Sequence, residues 1–326
     1  MKQEFPSPAL ALLLILFLVP AVYPAPAGAE SPGRSSTLRV ALLPILDVFP
    51  FYVAESLGAF GRRGINVKPV PVASALERDQ VMQSGQIDGM LTEINTTAAF
   101  NRSRPQVRIV RFARIAYPDY PLFRILSSPG SNITSAKQLS GVGIGIARNT
   151  VIEYVTDRLL AAKGLPPEAV VKQSVPVIPE RYHLLMQGRI QAAVLPDPLA
   201  RSAMEAGATQ VAADSEHPRY GVSVLAFSTR ALEELGDAVR LFIQAWDEAV
   251  VRINEDPEGL RAVLLQKIPV PENIRKTYRI PRYPRNGVPD RAQWEDVLKW
   301  MQEKRLLDAP VSYDGSVTAE FLAGTR

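Results

Sequence analysis

Short apolar runs alternate with amphipathic stretches along most of the chain, which is the pattern of an α/β protein. Strands are predicted at 38–43, 65–72, 87–91, 107–115, 122–127, 141–147, 170–177, 190–195 and 222–228. Helices are predicted at 51–58, 75–84, 92–101, 150–164, 181–188, 199–206, 232–254, 257–266 and 290–304.

One segment of this pattern occurs twice in outline. Residues 82–93 are echoed by residues 186–197, and each copy ends a helix, passes a glycine (Gly85 or Gly188) and continues as a short buried strand into polar residues. The echo predicts one α/β unit that is used in two lobes. Open α/β sheets bind ligands beyond the carboxyl ends of their strands, so two facing lobes predict a binding cleft.

The boundaries of the predicted lobes follow from two places where the chain crosses between them. We expect crossings near Tyr117 and near Val222, which together form a two-stranded hinge. The first lobe then comprises residues 30–117 and 222–326, and the second comprises residues 118–221.

The N-terminal residues have the features of an export signal. Lys2 precedes an apolar run over residues 9–22, and Ala27-Gly28-Ala29 has a small-x-small cleavage pattern. We expect cleavage after Ala29 and a periplasmic mature protein. The run has about 14 residues, whereas a membrane-spanning helix needs about 20, which argues against a permanent anchor.

Composition excludes several kinds of chemistry. The sequence has no cysteine, which excludes disulfides, thiol catalysis and cysteine-bound metals. His183 and His217 lack partners at metal-ligand spacing, so neither a metal nor another cofactor is expected. The 37 basic and 33 acidic residues are mixed along the chain, which argues against nucleic-acid binding. The mildly basic balance would suit an anionic solute.

Several motifs carry a family resemblance that covers essentially all of the mature chain. They are Phe-Tyr-Val-Ala-Glu-Ser-Leu-Gly-Ala-Phe-Gly-Arg-Arg-Gly-Ile-Asn-Val at 51–67, Ser-Gly-Gln-Ile-Asp-Gly at 84–89, the glycine-alternating strand at 141–146, Asp197-Pro198, and Val-Ser-Tyr-Asp at 311–314. With them the chain resembles the NMT1/THI5-like solute-binding proteins, which feed ABC importers of nitrate, sulfonates, taurine and thiamine-type pyrimidines.

The resemblance implies a type 2 periplasmic-binding-protein fold with two α/β lobes joined by a two-stranded hinge. It implies a monomer that closes on a small organic or anionic solute and presents it to an ABC permease in the inner membrane, without catalysing a reaction. Two alternatives stay open. One is a pyrimidine-synthesis enzyme on the same fold, although that branch relies on cysteines that are absent here. The other is a solute sensor for a membrane receptor.

The resemblance places ligand loops at four segments, of which the first follows the first strand. It contains Pro44, Leu46 and Asp47, with Phe49 and Phe51 close behind. The apolar and aromatic character of these residues suits a flat or apolar solute. Alternatively, the two phenylalanines fix the following helix to the core.

The second and third segments also belong to the first lobe. Backbone N–H groups at Ser74 and Ala75 would suit an anionic group, although Glu77 three residues after Ser74 favours helix capping as the role of Ser74. Thr92, Glu93 and Asn95 follow the 87–91 strand, and Glu93 would accept a cationic or amine-bearing solute. A solvated loop carboxylate is the alternative for Glu93.

The fourth segment, Arg148-Asn149-Thr150, belongs to the second lobe. Arg148 would form a bidentate pair with a carboxylate, sulfonate or phosphate, or it would pair with Glu93 or Asp197 as a latch across the cleft. The predicted rim is completed by Tyr117, Glu180, Arg181 and Asp197. An aromatic wall, Arg148 and Glu93 together fit a zwitterionic solute, unless Arg148 and Glu93 pair with each other.

Overall fold

The computed structural model describes residues 1, 3 and 37–322. The expected signal peptide and its cleavage site at Ala29 lie outside the continuous part of that range. Within the described residues, no helix has both the length and the apolar character needed to cross a membrane.

Ten strands form two sheets of five, confirming the predicted α/β class. The strand order is β2-β1-β3-β10-β4 in the first sheet and β7-β6-β8-β5-β9 in the second. In each sheet four strands run in one direction, and the fourth strand in the order, β10 in the first sheet and β5 in the second, runs antiparallel to them. The strands are β1 (Thr37–Leu42), β2 (Asn66–Pro71), β3 (Gly89–Thr92), β4 (Val107–Ile115), β5 (Phe123–Ser127), β6 (Gly143–Ile146), β7 (Val171–Ser174), β8 (Ala192–Pro196), β9 (Thr209–Ala213) and β10 (Val222–Ser228).

The helices fall close to their predicted positions, with a few differences. They are α1 (Phe49–Ser56), α2 (Ala59–Arg62), α3 (Ala75–Gln83), α4 (Ile94–Phe100), α5 (Val151–Ala162), α6 (Ile178–Met186), α7 (Leu199–Glu205), α8 (Thr229–Glu234), α9 (Gly236–Glu255), α10 (Arg261–Lys267) and α11 (Arg291–Glu303). The single helix predicted over 232–254 is interrupted at Leu235, where the backbone leaves helical geometry. Strand β9 was not predicted, because its first two residues are exposed and only three apolar residues follow.

The repeated segment has the same structure in both copies. Gly85 and Gly188 have φ angles of +70° and +66°, which favour glycine. Each glycine follows a nine-residue helix, α3 or α6, and leads into the third parallel strand of its sheet, β3 or β8. The prediction that one α/β unit is used twice is therefore confirmed.

The chain passes between the sheets twice, from β4 to β5 and from β9 to β10, close to the predicted crossings. Asp214 belongs to the second crossing, directly after β9, and is fully buried. Its carboxylate accepts the backbone N–H groups of Leu122 and Phe123, at 2.9 and 3.2 Å. A Cβ atom at Gly221 would lie 1.6 Å from Asp214 Oδ2, so only glycine fits there. Burial raises the pKa of Asp214 to about 7.

An aromatic cluster packs α1, α2 and α9 against the first sheet. Phe51, Phe60, Phe227, Phe242 and Trp246 are its members, and the rings of Phe60 and Phe242 stack with centroids 5.6 Å apart. Each ring removes a large apolar area from water. The strands that carry the first half of the cleft therefore rest on a rigid base.

Helix α11 contacts helices from both halves of the molecule. It packs against α4, which follows strand β3 of the first sheet. It also bonds to α5 of the second half, since Trp300 Nε1 donates to Asp157 Oδ2 at 2.9 Å and Arg158 Nη2 donates to Asp296 Oδ1 at 2.9 Å. The C-terminal residues thus make specific contacts on both sides of the cleft.

Candidate functional site

A cavity lies where the carboxyl ends of strands from both sheets meet. Its volume is about 40 Å³. Since a cavity needs about 10–15 Å³ for each water it holds, this is room for roughly three waters. Most of its surface is apolar. The first half of the chain and β10 contribute Leu43, Ile45, Asp47, Ala75, Leu91, Glu93 and Ser223, and the second half contributes Phe123, Ala147, Thr150, Val151, Ile152, Pro176, Ile178 and Pro196.

Both carboxylates that line the cavity are bonded to buried arginines. Asp47 Oδ1 accepts from Arg114 Nη1 at 3.1 Å, and Glu93 Oε1 accepts from Arg78 Nη1 at 3.0 Å. Burial disfavours the charge on each arginine, but the carboxylates outweigh it and raise the pKa of Arg78 and of Arg114 above the ordinary value. The cavity carboxylates are therefore charge-compensated within the protein.

Several buried polar atoms on the first sheet have no hydrogen-bond partner in the described part of the chain. They are Nε and Nη2 of Arg114, the hydroxyl of Ser223 and the hydroxyl of Thr92. Ser223 lies opposite Arg114 in the β10–β4 ladder and lines the cavity. Buried donors without partners are costly, so their grouping beside a cavity indicates a place for polar atoms of a ligand.

The second sheet contributes a buried arginine of a different kind. Arg181 is fully buried and donates from Nε to the Val194 carbonyl at 2.8 Å and from Nη1 to the Val175 carbonyl at 2.6 Å. Its Nη2 atom has no partner among the described residues. Burial lowers the pKa of Arg181 to about 10, so it stays charged at neutral pH.

Four of the sequence-predicted site residues line the cavity, and they come from both halves of the chain. They are Asp47, Ala75, Glu93 and Thr150. Ser74 lies beside them as the cap of α3, where its hydroxyl accepts from the Glu77 N–H at 3.2 Å. Thr150 likewise caps α5 by accepting from the Ile152 N–H at 3.1 Å.

The prediction that Phe49 and Phe51 form an aromatic wall against the solute is wrong in this structure. Phe49 and Phe51 are fully buried in the hydrophobic core and pack against other aromatic rings, which is the alternative considered for them. Leu46 is also buried, and its carbonyl accepts from the Tyr283 hydroxyl at 2.7 Å. Pro44 lines a separate surface groove.

The predicted contacts of Arg148 are not observed either. Arg148 is exposed and donates to the Lys172 carbonyl at 2.9 Å, outside the cavity. Its two proposed latch partners are already bonded to nearer arginines, Glu93 to Arg78 and Asp197 to Arg124. A pair across the cleft is nonetheless present, because Asn95 Nδ2 on α4 donates to the Asn149 carbonyl at 2.9 Å.

None of the residues predicted for the rim is among the described residues that line the cavity. Tyr117 belongs to the first crossing, where Arg282 lies over its ring at 3.9 Å from the centroid. Glu180 is exposed on α6. Asp197 is buried and faces a second, polar cavity of about 520 Å³ beside Tyr278 and Arg124.

Sequence reasoning missed Arg78, Arg114 and Ser223. Arg78 had a detectable signal, because it lies seven residues before Gly85, as Arg181 lies seven residues before Gly188. A comparison of the two copies extended by one helix would have paired them. Arg114 and Ser223 had no such signal, since they meet only through pairing of β4 with β10.

Comparisons with known proteins agree on the fold. The alkanesulfonate-binding protein SsuA from Xanthomonas axonopodis pv. citri matches with a TM-score of 0.73 at 16% identity, over 86% of this chain and 98% of that one. The nitrate-binding protein NrtA from Synechocystis PCC 6803 matches with 0.66 at 14% identity, over 88% and 87%. The desulfurization enzyme DSZB matches with 0.64 at 16% identity, over 87% and 97%.

These identities are low, so the structures show the fold alone, which is the predicted fold of periplasmic binding proteins. A search of curated proteins gives no match. The sequence model of the family described as NMT1/THI5 like matches residues 46–260, which is well over half of the chain. The chain belongs to the NMT1/THI5-like family.

Proposed function

We propose that this protein is the exported, periplasmic solute-binding component of an ABC importer. It binds one small solute between two lobes, residues 30–117 with 222–326 and residues 118–221, and presents it to an inner-membrane permease as a monomer. The observation that carries the proposal is the cavity, because strand ends of both sheets supply its walls. Ligand contacts with both lobes would favour the closed arrangement, which a permease can recognise.

The fold alone does not decide between binding and catalysis, because the matching structures include an enzyme. The cavity favours binding. Asp47 and Glu93, its two carboxylates, are each engaged by an arginine and are therefore poorly suited to exchange protons with a substrate. Its remaining walls are mostly aliphatic.

Ala75→Phe tests the position of the site. Ala75 lines the cavity at the start of α3, so a phenyl ring there should occupy the space of the solute. Native mass spectrometry of the purified protein should show a co-purified solute that is lost in this variant. Ala161→Phe, on the exposed last turn of α5, is the matched control and should retain it.

A deletion strain tests the role in transport. Loss of uptake of the solute identified by mass spectrometry supports an importer component. Intact uptake combined with a lost cellular response would instead support the sensing alternative. Turnover of that solute by the purified protein would contradict both and favour an enzyme.

A further inference from the structure

An extended segment before α11 carries a regular row of arginines. Residues 278–285 read Tyr-Arg-Ile-Pro-Arg-Tyr-Pro-Arg and belong to no helix or strand. Arg279, Arg282 and Arg285 are exposed, whereas the other five residues are buried. We call residues 278–285 the strap and these three residues the arginine row. The strap thus turns every third side chain, each of them a cation, towards solvent.

The two prolines of the strap explain this period of three. Pro281 and Pro284 hold their own φ near about −65° and disfavour helical backbone at the residues before them, Ile280 and Tyr283. Extended proline-type backbone has three residues per turn and rises about 3.1 Å per residue. Side chains three residues apart therefore share one side, about 9 Å from each other. The row is a fixed line of charges.

The strap is bonded to both halves of the molecule. The Tyr278 hydroxyl donates to Asp197 Oδ2 at 3.3 Å, at the end of β8 in the second half. The Tyr283 hydroxyl donates to the Leu46 carbonyl at 2.7 Å, after β1 in the first half. The Tyr283 backbone also exchanges two hydrogen bonds with the side chain of Asn254, on α9. A partner bound along the strap would therefore contact a region anchored to both halves.

The protein itself compensates the row only weakly. Among the described residues, Arg279 and Arg285 have no hydrogen-bond or ion-pair partner. Arg282 Nη2 lies 3.7 Å from Asp119 Oδ1, and both side chains are more than half exposed, so this pair contributes little. The row therefore presents a strong positive potential, which attracts an anionic partner.

The polar cavity of about 520 Å³ adjoins the row. The strap and residues of the second half form its walls, and Arg279 lines it. Its two carboxylates, Asp119 and Asp197, are paired with Arg282 and Arg124. Arg279 is thus left without a carboxylate there, and the cavity has ample room for a carboxylate-bearing side chain from outside.

We propose that the strap and the polar cavity form a docking surface for an acidic protein segment. Its carboxylates pair with the arginine row, and one of them enters the cavity against Arg279. Arginine clusters recognise acidic segments through charge-assisted hydrogen bonds to carboxylates.

The surroundings of the strap favour a protein segment over an anionic membrane. Glu272, with its side chain 82% exposed, pairs with Arg275 shortly before the strap. Glu258 pairs with Arg261, whose Nη2 donates to the Tyr278 carbonyl of the strap at 3.0 Å. A flat anionic surface would meet these carboxylates together with the row and be repelled by them. A single acidic chain can follow the row between them.

This proposal deepens the proposed function and rests on it for the identity of the partner, which would be the permease. Since the strap is bonded to both halves, the fit of an acidic segment along the strap and in the cavity would depend on how the halves are arranged. Such dependence would let the partner distinguish arrangements of the lobes by its differential affinity for them.

A matched pair of peptides tests the surface. One peptide has three Glu-Pro-Pro triplets, which repeat a carboxylate at the spacing of the row, and its neutral counterpart has three Gln-Pro-Pro triplets. Binding of each labelled peptide to the purified protein is measured by fluorescence anisotropy at low ionic strength. We expect the glutamate peptide to bind at least tenfold more tightly, and the difference to shrink as salt is added.

Variants assign the binding to the row. The triple variant Arg279→Gln, Arg282→Gln and Arg285→Gln should weaken binding of the glutamate peptide at least tenfold. Its matched control replaces three exposed arginines elsewhere, Arg102, Arg104 and Arg189, by glutamine and should bind the peptide as the unchanged protein does.

A single charge reversal isolates the cavity. Arg279→Glu should weaken binding of the glutamate peptide at least tenfold by itself, and it keeps the test decisive if the triple variant fails to fold. Phosphatidylglycerol vesicles are the second probe, and they should bind less tightly than the glutamate peptide.

Three results would overturn the docking surface: the neutral peptide binds as tightly as the acidic one, the triple variant and its control lose the same affinity, or the vesicles bind more tightly and through the row. The last result would make a membrane the partner.

A deletion strain separates this proposal from the function on which it rests. When the triple variant replaces the protein, it should retain the co-purified solute in native mass spectrometry but restore less than a tenth of the uptake that the control variant restores. Full uptake with the triple variant would refute the permease as the partner while solute binding stands. If no solute is bound and deletion leaves uptake unchanged, the proposed function itself fails, whatever the peptides show.

Discussion

The two repeats of this protein share a backbone and differ in how they treat the same buried arginine. In the first repeat Arg78 is bonded to Glu93 and Asp79, and in the second Arg181 has, within residues 37–322, backbone carbonyls as its only partners. Because the two repeats share a backbone, features present in both can be attributed to the fold, whereas features that differ are candidates for a role in ligand binding. The glycine and the helix that precedes it are present in both copies, and they lead the chain into the third parallel strand of each sheet. One place where the two copies differ is beside the cavity, which Glu93 of the first repeat and Pro196 of the second both line.

We expect the largest loss of stability when the first repeat loses the carboxylate of Glu93, so that Arg78 becomes more like Arg181. Among the described residues, Glu93→Ala leaves the buried Arg78 with the partly exposed Asp79 as its one counter-ion, and it removes the hydrogen bond that Thr96 donates to Glu93. We expect the free energy of unfolding to fall by about 3 kcal/mol, measured by urea unfolding. The control Glu180→Ala removes an exposed glutamate from α6 and should change it by less than about 0.5 kcal/mol. Equal stability of the two variants would show that Arg78 does not need its partner.

A smaller effect is expected at the starts of the two helices. Ser74 caps α3 with its side chain, whereas the equivalent Val177 gives α6 no side-chain cap. Ser74→Ala should lower the free energy of unfolding by about 1 kcal/mol. Val177→Ser should raise it by a few tenths of a kcal/mol if the second repeat accepts the same cap. A loss of stability in Val177→Ser would show that the helix starts are not equivalent.

The smallest effect concerns pH and the residue three positions after each glycine, Asp88 or Gln191. Burial alone would raise the pKa of Asp88, but hydrogen bonds from Arg39, with the charges of Arg39 and Arg230, lower it below the ordinary 3.8. The folded state thus holds fewer protons than the unfolded state near that pH. The stabilisation is complete above about pH 5 and is lost as pH falls through the lowered pKa.

The measurement is urea unfolding of the protein and of Asp88→Asn between pH 6 and pH 2.5. The difference in stability between them should be constant near neutrality and should narrow below about pH 4. Gln191→Ala, the matched change in the second repeat, should give a difference without pH dependence. A gap for Asp88→Asn that stays constant across the whole range would contradict the role given to Arg39.

Much of the fold follows from local pattern, but much of the site does not. The helix end, glycine and apolar strand of each repeat are contiguous in sequence, so hydrophobic periodicity and the glycine were sufficient to locate them. The partners of Asp47 and Glu93 are 67 and 15 residues away. The first pair depends on packing of β4 against the turn that follows β1, whereas the second lies within one repeat. Arg148 has a long side chain and was therefore a plausible latch across the cleft. Its two candidate partners, Glu93 and Asp197, are instead bonded to Arg78 and Arg124.

The cavity of about 40 Å³ also has a kinetic consequence. It has room for roughly three waters, so under the proposed function we expect an organic solute to enter only after the walls separate, including the Asn95 contact to Asn149. Association from this conformation cannot be faster than that separation. At high solute concentration the observed binding rate should therefore level off at the rate of opening instead of rising in proportion to concentration.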